Sequence, residues 1–108
     1  MDEKLREKFK KVAEAVRTIM VEPDVELLVC FEGVEKDEGC DKDLVPGYKP
    51  PYPYVKVVYR TGDGDVYEKK IDIGPELWDK SVEDIKKFVE FEIEQFMEEI
   101  DSVEYGGE

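Results

Sequence analysis

Apolar residues recur at two periods along this chain, three to four residues near both ends and two residues in the middle. Leu5, Phe9, Val12, Val16 and Ile19 follow one another at three- and four-residue steps, with Met20 adjoining. That spacing lines one side of an α-helix. An amphipathic helix is expected over 2–21, with Asp2 as its N-cap and Pro23 stopping the pattern. From Val25 to Glu32 the residues Val25, Leu27, Val29 and Phe31 alternate with Glu26, Leu28, Cys30 and Glu32, the signature of a half-buried strand. Helical spacing returns in Val82, Ile85, Val89, Ile93, Phe96 and Ile100, flanked by Phe88 and Met97. Ser81-Val82-Glu83-Asp84 looks like a capping box opening that helix. At about 100° per residue, Phe91 falls roughly half a turn from the apolar stripe and is expected on the outside. Before the helix, residues 76–80 have room for one short turn around Trp78.

Between these helices, Tyr54 to Ile73 reads as a β-hairpin around Gly62-Asp63-Gly64. Val55, Val57 and Tyr59 share one face of the first run, and Tyr67, Ile71 and Ile73 share one face of the second, with Lys69 as the intruder. A three-residue loop, Gly62 to Gly64, sets Tyr59 against Tyr67 and Val55 against Ile71. A loop shorter or longer by one residue would spoil the match. The third loop residue needs a left-handed backbone, which Gly64 adopts without Cβ strain.

The order α-β-β-β-α defines an α+β fold, a single domain over 1–108. Its simplest assembly is a three-stranded antiparallel meander with two helices packed on one face. The third strand is then an edge, where an inward-pointing Lys69 is tolerated. The outer sheet face would carry Leu28, Tyr54, Val58 and Val66. The same element order occurs in double-stranded-RNA-binding domains, but no residues here match that family.

Residues 34–53 fit neither period and form a long connection within the domain. Six acids and two lysines lie between Glu32 and Asp43, followed by Pro46, Pro50, Pro51 and Pro53 interleaved with Tyr48, Tyr52 and Tyr54. Proline fixes φ and removes donors, so this part should be extended and semi-rigid. A hairpin connection of this length is often functional.

Charge narrows the partners. The net charge is −13, from 29 acidic against 16 basic side chains, which disfavours nucleic acid and anionic membrane as direct ligands. Residues 76–108 hold twelve acids and three lysines, a net of −9, whereas the first 17 residues are net +2. Nothing resembles a signal peptide or a membrane span, and a cytoplasmic location is expected. Cys30 and Cys40 match no metal spacing, and there intracellular thiols are expected to stay reduced, although the spacing leaves a disulfide open.

The candidate chemistry is sparse. With no histidine in the chain, Ser-His and Cys-His nucleophile pairs are excluded. No phosphate-binding glycine loop is present. Acids around Cys40 should raise its pKa and blunt its reactivity. The carboxylates at 35–43 lack EF-hand spacing, and Pro50-Pro51-Tyr52-Pro53 fits the weak PxxP pattern. No cofactor is expected. What remains is an acidic, non-catalytic binding or inhibitor protein whose carboxylates engage a basic protein, such as a nucleic-acid-binding protein or nuclease. In size and charge the chain is similar to phage-encoded antagonists, including anti-CRISPR proteins, and to toxin-neutralising immunity proteins, without a shared motif.

The partner-facing set is expected to be Glu83, Glu90, Glu94, Glu98 and Asp101 on one outer side of the second long helix. The loop residues Glu35, Asp37, Glu38, Asp41 and Asp43 would assist, with Tyr48 and Tyr52 as apolar anchors. Phe91 and the outer sheet face suggest an alternative, a structural domain that self-associates; the oligomeric state is expected to be a monomer or weak homodimer. A small metal-binding protein or enzyme is the third reading.

Overall fold

A computed structural model of the chain describes residues 3–40 and 52–106. The elements run in the order α1 (Glu3–Arg17), β1 (Val25–Phe31), β2 (Glu35–Lys36), β3 (Tyr54–Arg60), β4 (Val66–Asp72), α2 (Pro75–Trp78) and α3 (Val82–Gly106). The protein is α+β. All strand pairs are antiparallel, and the sheet order is β2-β1-β3-β4. Among the described residues, four strands and three helices thus replace the expected three and two. β1, β3 and β4 make up the expected meander, and β2 is a short addition at its edge.

The hairpin register is the one expected from alternation. Tyr59 pairs with Tyr67 and Val55 with Ile71, and the turn is closed by Thr61 N donating to Asp65 O at 2.9 Å and Gly64 N to Thr61 O at 3.1 Å. Gly64 has φ of +91°, the backbone the third loop position demands. Tyr59 and Tyr67 lie nearly parallel, 6.5 Å apart across the strands.

β2 carries no apolar residue that could announce it. It forms because Gly33, at φ +77°, reverses the chain after Phe31, with Val34 N donating to Phe31 O at 2.9 Å. Asp37 then extends the pairing by one residue. Its backbone N donates to Val29 O, and its carboxylate accepts from Val29 N, both at 2.8 Å. The carboxylate takes the place of the backbone carbonyl that a continuing strand would supply.

α1 and α3 pack on each other and on one face of the sheet, α1 over β1 and α3 over β4. The core between them holds Phe9, Val12 and Val16 from α1, Val29, Phe31, Val55, Val57 and Ile71 from the sheet, and Ile85, Val89 and Phe96 from α3. Ser81 caps α3, its hydroxyl accepting from Asp84 N at 3.1 Å. Trp78 closes the end of the core, its indole N–H donating to Ile73 O at 2.9 Å. Lys69 does point inward from the edge strand β4, and Glu92 of α3 meets its ammonium at 3.0 Å.

Three expectations require correction. α1 ends at Arg17 rather than near residue 21. The β-branched pair Thr18-Ile19 turns out of it through bonds to Ala15 O and Val16 O, each 3.1 Å, and Met20 is left 93% exposed instead of in the stripe. The outer sheet face is not open at its centre: Tyr54, Lys56 and Val58 are all buried there, whereas Val66 is exposed. Lys56 is neutralised by Glu68 at 3.1 Å, as a buried ammonium requires. Finally, the thiols are not free. Cys30 and Cys40 form a disulfide, and the Tyr54 hydroxyl donates to Cys40 O at 2.8 Å within the same small cluster. Alternation along β1 put Cys30 on the outer face, but nothing in the irregular segment indicated that Cys40 would return to meet it.

Candidate interaction surface

α3 brings its carboxylates together through helical spacing alone. Glu83, Glu90, Glu94 and Glu98 differ by seven, four and four residues, so their directions fall within about 80° of one another over roughly 22 Å of helix. Glu83, Glu94 and Glu98 are exposed and Glu90 is half-buried at the margin of the face. Asp101 continues the series in sequence, with its side chain outside the described residues. Lys87, also exposed, interrupts the face between Glu83 and Glu94. Phe91 borders the same face and is 55% exposed, as expected for its position half a turn from the core.

The loop acids are placed elsewhere. Glu35 and Asp37 lie at the β2 edge of the sheet, whereas α3 packs over the β4 edge. Both already have a cation. Arg17, the last residue of α1, donates to Glu35 Oε2 at 2.9 Å and to Asp37 Oδ1 at 2.9 Å, a forked arrangement that suits guanidinium geometry. Glu38 is exposed and Tyr52 is 39% exposed. Asp41, Asp43 and Tyr48 lie outside the described residues. Among the described residues these acids therefore fall into two separate regions, one fastening the β2 hairpin to α1 and one lining α3. Among the described residues, no group of three or more His, Cys, Asp or Glu is arranged to hold a metal ion, and no helix is long and apolar enough to cross a membrane.

Electrostatics mark the first region as a fastening. The hydrogen bond from Arg17 holds the Asp37 carboxyl below its usual range, against the opposing effect of partial burial and with help from the Val29 N–H. The same bond to Asp37, then that to Glu35, raises the Arg17 pKa. A carboxylate with a depressed native pKa contributes stability above its unfolded value, and that contribution is lost as pH falls through the native value. Asp37→Asn should therefore cost about 1–2 kcal/mol near neutrality, where a partly exposed charge-assisted pair is worth less than a buried one. Urea denaturation should show the gap between variant and wild type narrowing once pH drops below about 4, the ordinary carboxylate range. A gap independent of pH would mean that the Asp37 charge contributes nothing.

Beside the α3 face lies a cleft of about 300 Å³ between the α1–β1 connection and α3. Sequence reasoning missed it because Met20 was assigned to the helix stripe and Met97 to the core's flank. The paired β-branched residues at 18 and 19 were the available signal for an early helix end. The chain matches no known family model, no curated protein and no solved structure.

Proposed function

We infer that this protein is a small, non-catalytic binding protein that uses the α3 carboxylates to engage a basic site on another protein. The observation that carries the reading is the alignment of exposed Glu83, Glu94 and Glu98, with Glu90 at their margin, on one side of α3. Carboxylates spaced along a rigid helix can occupy positions that phosphates would take, so a nucleic-acid-binding protein or nuclease is the partner class of choice. Complementary fields accelerate such encounters and reject like-charged competitors. Inhibitors of this kind, such as phage antagonists of defence systems and toxin-neutralising immunity proteins, work by occupation and need no chemistry of their own. Glu35 and Asp37 are assigned to fastening, so the partner-facing set is centred on α3.

The reading places the protein in the cytoplasm with its target. The Cys30–Cys40 bridge then has to resist a reducing thiol pool, which strained or exposed disulfides do not; this bridge is buried.

Reversing Glu90, Glu94 and Glu98 to lysine tests the reading. The fold should survive, because these side chains lie off the buried stripe and away from the capped first turn of α3. Association with a partner captured at low salt should slow by about tenfold or more, and the deficit should shrink as salt shortens the Debye length to ~8 Å. An unchanged rate at low salt removes the acidic helix from the mechanism. The exposed Phe91 supports a second reading, self-association. Light scattering that reports a dimer abolished by Phe91→Ser would favour it.

A further inference from the structure

We propose that the cleft between the α1–β1 connection and α3 receives the apolar anchor of a cationic, amphipathic peptide segment of the partner. The inference rests on the acidic-helix reading and adds to it where the contact is made and what chemistry fits. The cleft holds about 300 Å³ and is lined by Met20, Ile93 and Met97 together with Glu22, Glu94 and Glu98. That volume is at the lower end for ligand sites and suits one large side chain. Ile93 is a core residue reached from the cleft, and Met20 stands 93% exposed beside it. A large apolar side chain this exposed has no packing role to explain it. Methionine is unbranched and polarizable, so a lining with two of them can reshape around different apolar anchors.

Charge selects among the occupants. Three carboxylates border an apolar lining, so an apolar side chain flanked by lysine or arginine satisfies both at once, in the way an amphipathic helix lies in a groove. Glu94 and Glu98 belong to both the cleft and the α3 face, which makes cleft and face one continuous surface. A second copy of this chain would bring a net charge of −13 to the same place, and nucleic acid or an anionic membrane would meet the same repulsion. A neutral apolar segment would leave the three carboxylates without counter-charge.

Two synthetic lysine-bearing helical peptides of equal charge test this, one with a central tryptophan and one with serine in its place. Methyl NMR is a direct readout, because Met1, Met20 and Met97 are the methionines of the chain. The tryptophan peptide should bind and shift the Met20 and Met97 methyls. The serine peptide should bind about tenfold more weakly or worse, as loss of a buried aromatic anchor implies. Met20→Ser should weaken the tryptophan peptide without affecting the fold, and Glu94→Lys with Glu98→Lys should weaken both peptides. Equal binding of the two peptides with unmoved Met20 and Met97 methyls would overturn the cleft while leaving the acidic face standing. Binding indifferent to anchor and to charge reversal would overturn both. A glutamine-for-lysine peptide that binds as well as the lysine one would overturn the cationic occupant, as would Met20 and Met97 shifts that appear on raising the concentration of the protein alone.

Discussion

Replacing Phe9 by alanine should destabilise the protein by about 3–5 kcal/mol, the range for truncating a fully buried aromatic. Phe9 is 0% exposed and holds three elements in register. Its ring meets Phe31 of β1 edge-on at 5.1 Å and Trp78 of α2 edge-on at 6.4 Å. Each such pair adds about 0.5–1.5 kcal/mol beyond area burial, and the cavity would open beneath α1, which is bonded to α2 through Lys8 Nζ and Trp78 O. Because small domains have about 5–15 kcal/mol in total, the variant should sit near its unfolding threshold at room temperature. Phe91→Ala, on the exposed side of α3, should stay within about 0.5 kcal/mol. Urea denaturation of the two variants decides the matter. Equal losses would mean that α1 does not pack as described.

Opening the Cys30–Cys40 bridge is the second large effect. The bond joins residues ten apart, and the chain-entropy estimate for a loop of that size is about 2.5–3 kcal/mol. For a domain of this length that corresponds to a fall in Tm of roughly 10–20 °C. The local effect should be larger than the global one, because the bridge and the Asp37 contacts to Val29 hold the segment after β2 against β1, and the Tyr54 hydroxyl holds it against β3. A reductant should lower the Tm of the wild type and leave that of Cys30→Ala/Cys40→Ala unchanged. Amide exchange should quicken first near residues 37–40. Equal melting of the wild type and the double alanine variant without reductant would show that the bridge constrains nothing.

The elements that the sequence made legible are those whose stability is local and periodic. The hairpin register was readable because one arrangement alone aligned Val55 with Ile71 across a loop ending in glycine, and α3 because Ser81 and six apolar positions agreed. β2 was illegible for the opposite reason. Two exposed polar residues become a strand through a turn glycine and an aspartate that imitates the backbone, and neither leaves a periodic trace. The burial of Val58 and Lys56 was missed likewise, since alternation says which residues share a face but not what covers that face. For the candidate surface, the acidic side of α3 followed from helical spacing. The engagement of Glu35 and Asp37 by Arg17 and the cleft beside Met20 depend on tertiary placement.

The two borders of the sheet have a consequence for how this protein can assemble. β2 offers a neighbouring chain two residues of backbone before Asp37 spends its carboxylate on Val29, and β4 carries Lys69 turned inward against Glu92. An approaching strand would meet a stub on one side and would have to pair beside a half-buried ion pair on the other. Polymerisation by successive strand addition, the route to fibrils, is thereby discouraged at both ends. At high concentration the protein should therefore resist growth by edge-to-edge strand pairing.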